Sequence, residues 1–182
     1  IVFPHLAHSM RYMLDISGLS DDGNQVTKNS LVRNTTQSII YLRNRVHGDI
    51  DVVYNTISNN TSISSAAIEQ NVYSGNDYTN FSIAYNNVIN ESADYYYKFV
   101  NPYGQSGVTA TIENNYWGTT TSSEISSKMY DWNVNSSLGF TDYTPYLSSP
   151  NTTAPISPPT AVLKVVSGSN VVLTWTANSE SD

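Results

Sequence analysis

Ile50-Asp-Val-Val-Tyr-Asn-Thr-Ile-Ser58 (IDVVYNTIS) alternates apolar and polar residues up to Val52, breaks at Asn55 and resumes with Ile57. In a strand, successive side chains point to opposite faces, so Ile50 and Val52 share one side. Asn tolerates the left-handed backbone conformation and bonds locally, which lets Asn55 turn the chain sharply between two short strands. An apolar residue three before an Asn and another two after it make a frame, and the frame recurs. Val26-x-x-Asn29-x-Leu31, Ile83-x-x-Asn86-x-Val88 and Ile112-x-x-Asn115-x-Trp117 repeat it, with Asn-to-Asn spacings of 26, 31 and 29 residues. Periods of this length belong to architectures in which each unit buries its core against the next.

Each frame is preceded by alternation (Phe81 and Ile83, Ala110 and Ile112) and followed by a third apolar cluster: Ile39 and Tyr41, Ala66 and Ile68, Tyr97 and Phe99. Three short strands per coil, with loops absorbing the length differences, describe an all-β, parallel β-solenoid. On coils about 4.8 Å apart, equivalent Asn side chains can bond one another in a ladder. A β-sandwich with chance Asn positions is the competing fold.

Composition agrees with strands and turns. Of the 182 residues only 13% are charged, and Asn, Ser, Thr and Tyr abound. The net charge of −7 argues against nucleic acid and anionic membranes, which require a basic surface. There is no cysteine, which excludes disulfides, thiolate metal sites and a Cys nucleophile. No run approaches the roughly 18 apolar residues of a membrane span. Ile1 opens in mid-pattern, so the chain reads as cut from something longer.

The four frames resemble the right-handed parallel β-helix repeats of the pectate-lyase-like superfamily, over roughly residues 12–150. Asn115-Tyr116-Trp117-Gly118, Leu138-Gly139-Phe140 and Thr144-Pro145-Tyr146-Leu147 resemble the closing segment of secreted bacterial and archaeal β-helix proteins. Between them, Thr121-x-x-Glu124 has capping-box spacing, and Ile125, Met129 and Trp132 fall on one helical face. A helix from Thr121 to about Trp132 is expected to cap the last coil. The solenoid is thus assigned to residues 1–147. A Ser/Thr/Pro-rich linker follows over 148–159. Residues 160–182, with Val171, Leu173 and Trp175 alternating, resemble the first strands of a fibronectin type III domain, a truncated β-sandwich with Trp175 as its core Trp.

The chemistry centres on Tyr41, Arg43, Arg45, His47, Asp49 and Asp51, which recur at every second residue and on one continuous strand would share an outward face. The resemblance implies polysaccharide lyases, in which a basic residue takes a proton beside a uronate, or hydrolases using paired Asp. Arg43, Arg45 and His47 are the catalytic candidates on that reading, and Asp49 and Asp51 have the hard oxygens that Ca²⁺ prefers. The plainer alternative is a solvated ion-pair surface, or a turn within 44–48 that scatters the set. Tyr54 and Tyr85 precede their frame Asn equivalently; they are either an aromatic ladder or a sugar platform, and with Asp49 and Asp51 they make the carbohydrate-binding candidates. His5 and His8 lack a third metal ligand, and Asp21-Asp22-Gly23-Asn24 reads as a turn rather than a calcium loop. No resident metal or cofactor is expected beyond that Ca²⁺ option. Glycosylation acceptors of the form Asn-x-Ser/Thr occur at Asn34, Asn59, Asn60, Asn80, Asn90, Asn135 and Asn151. About five would arise by chance at this composition.

Two functions fit. The favoured one is a non-catalytic structural, adhesion or carbohydrate-contacting module of a secreted or cell-surface bacterial or archaeal protein, with a polysaccharide or surface glycan and neighbouring domains as partners. The alternative is the C-terminal part of a polysaccharide lyase or glycoside hydrolase whose catalytic coils lie mostly upstream.

Overall fold

The computed structural model describes residues 11–17, 24–44, 50–62, 66–72, 81–89, 91–100, 108–156 and 160–176. The frames lie on top of one another. The segments before the Asn residues are β2 (Asn24–Thr27), β6 (Ile50–Val53) and β10 (Phe81–Ala84), a parallel sheet with Val26, Val52 and Ile83 in one row. Those after it are β3 (Ser30–Val32), β7 (Thr56–Ser58) and β11 (Asn87–Ile89), a second parallel sheet with Leu31, Ile57 and Val88 in one row. Two short strands, β4 (Thr35–Thr36) and β8 (Thr61–Ser62), link this sheet to the third. The third sheet is parallel throughout and runs β1 (Tyr12–Ser17), β5 (Ser38–Asn44), β9 (Ala66–Val72), β12 (Tyr95–Val100), β14 (Met129–Tyr130). The chain is an all-β parallel solenoid of about three turns. The fourth frame continues the stack, with Val88 N donating to Tyr116 O at 2.8 Å and Trp117 fully buried.

Four expectations are corrected. The first concerns who takes the turn. The left-handed residue is the one before each Asn, namely Lys28, Tyr54, Tyr85 and Asn114, with φ of 53°, 57°, 60° and 59°. The Asn itself is freed to bond along the stack. Secondly, the third cluster of the first coil sits one residue away from its expected position. Ile40, not Ile39 or Tyr41, is in register with Ile68, and Ile68 with Tyr97. Ile39, Ile40, Tyr41 and Leu42 are all buried, so no alternation marks the inner face there.

The third correction is the cap. The helix α1 spans only Ser122–Ser127, Thr121 makes no side-chain cap, and Ile125 is its one buried residue. Thr119 instead ties the entry to the helix: its hydroxyl donates to Glu124 Oε2 at 2.5 Å and accepts from Thr121 N at 3.1 Å. Serine-rich sequence has little drive to continue a helix, and Met129 is instead drawn into β14, beside Tyr97. Trp132 lies outside at 40% exposure, stacked on Phe140. Closure is made by β15 (Phe140–Asp142), which pairs in parallel with β13 (Thr109–Thr111). Gly139 sets this contact. A Cβ there would meet Val108 O at 2.3 Å and Phe99 Cε1 at 2.6 Å. Gly139→Ala is therefore expected to cost roughly 2–3 kcal/mol by overpacking, read as a lower urea midpoint with unchanged slope.

Fourthly, the expected linker is docked on the solenoid as far as Pro155. Leu147 N donates to Asn115 O, Asn151 exchanges two bonds with the Asn87 side chain at 2.7 and 3.0 Å, and Thr56 Oγ1 donates to Pro155 O. The strap steps back one coil every four residues. Outward polar side chains of β7 and β11 replace the missing neighbouring strand, and a proline can accept there though it cannot donate. Beyond it, β16 (Thr160–Ser167) and β17 (Asn170–Thr176) form an antiparallel hairpin whose described side chains are exposed, Trp175 at 59% included. No core surrounds Trp175 among the described residues.

Candidate functional site

The Asn ladder places the exposed residues. Asn55 Oδ1 accepts from Asn29 N at 3.0 Å and Asn29 Nδ2 at 3.1 Å. Asn86 Oδ1 accepts from Asn55 N and Nδ2, both at 2.9 Å, and Asn115 Oδ1 accepts from Asn86 N and Nδ2 at 2.9 and 3.0 Å. Each interior rung also donates back to carbonyls, as Asn86 does to Val52 O at 2.7 Å and Ala84 O at 3.1 Å. A left-handed conformation costs a non-Gly residue roughly 1–2 kcal/mol, which these bonds offset. That geometry turns Lys28, Tyr54 and Tyr85 out in one column beside the first sheet.

Tyr54 and Tyr85 stack with centroids 5.3 Å apart and planes 10° from parallel. The stack covers the facing sides of both rings, and Tyr85 stays 39% exposed. Next to them Gln25, Asp51 and Ser82 share a row across β2, β6 and β10, and Gln25 Nε2 donates to Asp51 Oδ2 at 3.3 Å. The row offers amide, carboxylate and hydroxyl groups in the order of the coils, chemistry that suits the hydroxyls of an extended polymer.

Arg43 stands elsewhere. It is the second-last residue of β5 in the third sheet while Asp51 lies on β6 in the first, so the every-second-residue pattern is not one strand. Arg43 donates to Tyr41 Oη at 3.1 Å, and its guanidinium lies 5.2 Å from the Tyr41 ring centroid. Asn71 Nδ2 bonds the same hydroxyl at 3.1 Å, and Tyr12 stacks on Tyr41 at 3.9 Å. Burial, with Tyr41 beside it, pushes the Tyr12 phenol up to about 12. This is a buttressed aromatic cluster. Arg45, His47 and Asp49 lie outside the described residues, as do His5, His8 and 21–23. Among the described residues no three His, Cys, Asp or Glu side chains group as metal ligands, and no helix is long and apolar enough to cross a membrane.

A second ladder went unread in the sequence. Asn60 Oδ1 accepts from Asn34 N and Nδ2 at 2.9 and 3.0 Å, and Glu91 Oε1 accepts from Asn60 N and Nδ2 at 3.2 and 2.8 Å. The signal was present, since Asn34 and Asn60 each follow a frame Asn by five residues. Arg33 and Asn59, just before them, are again left-handed, with φ of 57° and 53°. Glu91 is 7% exposed, and its Oε2 has no hydrogen-bond partner among the described residues. Burial raises its carboxyl to about 7 against the opposing pull of Asn60.

Comparison with family models, with curated proteins and with solved structures gives no match, so the functional reading rests on the chain's own geometry.

Proposed function

We propose that this chain is part of a secreted or cell-surface, right-handed pectate-lyase-like β-helix protein and serves as a structural, adhesion or carbohydrate-contacting module. The observation that carries the reading is the Gln25–Asp51–Ser82 row alongside the Tyr54–Tyr85 stack. Polar groups repeat there at the coil spacing of about 4.8 Å, which favours shallow contact along an extended glycan over closure around one substrate atom. The solenoid in turn is a rigid spacer, and the antiparallel hairpin β16–β17 with its apolar residues supports the reading of residues 160–182 as fibronectin type III-like strands.

Affinity electrophoresis against neutral and uronic-acid polysaccharides tests the proposal. Retention by at least one polymer is expected, weakened about three- to tenfold by Asp51→Ala or Tyr85→Ala, a loss of roughly 1 kcal/mol. Release of unsaturated products or new reducing ends, abolished by Arg43→Ala, would instead establish the lyase or hydrolase reading.

A further inference from the structure

We propose that Asn135 is an N-glycosylation acceptor in the folded protein. It stands in Asn135-Ser136-Ser137, one of seven such sequences in the chain. Structure separates the five that it describes, and Asn80 and Asn90 lie outside the described residues. Asn34 and Asn60 are rungs of the second ladder, with both amide groups committed inside the stack. Asn151 gives its Nδ2 to Tyr85 O at 3.2 Å within the strap. Asn59 is exposed but left-handed, its Nδ2 turned back on Ser58 Oγ at 3.4 Å, while Thr61 N is held by Asn34 O in the coil. A sugar on Asn34 or Asn60 must break a bond between coils, while at Asn59 and Asn151 one Nδ2 hydrogen is already committed and the backbone around the acceptor is tied to the coil or the strap.

At Asn135 nothing has to break. Its Oδ1 accepts from Ser137 N at 3.1 Å and Ser137 Oγ at 2.8 Å, so the hydroxyl of the acceptor sequence already polarises the amide. The Nδ2 meets no acceptor among the described residues, and residues 132–137 are all exposed. The neck of the loop is fixed. Asp131 Oδ1 accepts from Asn133 N and Oδ2 from Thr141 N, Trp132 N donates to Gly139 O, and Leu138 is buried. At that neck the stacked pair Trp132–Phe140, centroids 5.0 Å apart and each ring 40% exposed, offers an apolar face to a first sugar ring.

The co-reactant is a lipid-linked oligosaccharide pyrophosphate. Nδ2 forms a bond to C1 of the first sugar, the C1–O bond to pyrophosphate breaks, the lipid pyrophosphate leaves with the electron pair, and Nδ2 yields one proton to a base of the transferase. The site depends on the export contained in the proposed function, and an assay on purified protein separates the two. The folded chain is incubated with a single-subunit oligosaccharyltransferase and its lipid-linked donor, with a synthetic peptide of residues 130–140 as a parallel substrate, and glycopeptides are mapped by mass spectrometry. A glycan is expected on Asn135, none on Asn34, Asn59, Asn60 or Asn151, complete loss in Asn135→Gln and Ser137→Ala, and retention in Ser137→Thr. Modification of the peptide but not of Asn135 in the folded chain, or of Asn59 or Asn151 in its place, overturns the proposal.

Discussion

Asn86→Ala is expected to destabilise the solenoid by about 4 kcal/mol or more, an exceptional cost for one side chain. Asn86 is fully buried and takes part in bonds to Asn55 N, Asn55 Nδ2, Val52 O, Ala84 O and Asn115 Oδ1. Truncation leaves the Asn55 backbone amide without its acceptor, and each buried polar group so orphaned costs roughly 1–3 kcal/mol. Asn29→Ala is the internal comparison. Asn29 sits half-buried in the first frame, where it donates to Asn55 Oδ1 and Thr27 O. Its loss is expected to cost about 1 kcal/mol. Urea unfolding of the two variants decides the matter; equal midpoints would mean that the ladder accompanies the stack without holding it.

Glu91→Gln is expected to change how stability depends on pH. The folded carboxyl holds its proton up to about 7, above the ordinary 4.5, because burial penalises the charge. Stability from this group is therefore fully present below about 4.5 and is lost as pH rises through about 7. Above that the buried charge costs on the order of 3 kcal/mol. Gln keeps an acceptor for Asn60 and never ionises. The variant should melt roughly 5–10 °C above the parent at pH 8, with the difference shrinking toward pH 4–5. Tyr96 is a titratable group coupled to Glu91: its phenol is raised by burial and then by Glu91 and Glu124, and Lys128 lies 5.6 Å from its ring centroid. Parallel melting curves for parent and variant across this range would show that Glu91 is solvated.

The stack was legible because its period is carried by residues with little freedom to vary. Val52 and Ile83 must share a row, and each Asn must bond the next. The second ladder was hidden because Asn is common in the chain and the last rung is a Glu. In the third sheet, Ile39 to Leu42 are buried on both faces, so alternation had no phase to reveal. Ile125, Met129 and Trp132 fitted a helix by spacing alone; pairing of Met129 with Tyr97 across two strands outweighed it. Spacing likewise joined Arg43 to Asp51, although a change of sheet separates them. The stacking of Tyr54 on Tyr85, the ladder alternative, was legible because both precede a rung, a relation that survives folding.

Cross-linking tests the stacking register most directly, since the chain has no cysteine of its own. Gln25, Asp51 and Ser82 are successive register partners on the outward face of the first sheet. Neighbouring strands lie about 4.8 Å apart, within the Cα separation of a disulfide, whereas strands two coils apart do not. Under mild oxidation the Gln25→Cys/Asp51→Cys and Asp51→Cys/Ser82→Cys pairs should close within the monomer, each losing two hydrogens by intact mass, while Gln25→Cys/Ser82→Cys stays reduced. Closure of the Gln25–Ser82 pair, or of none of the three, would contradict the parallel stack.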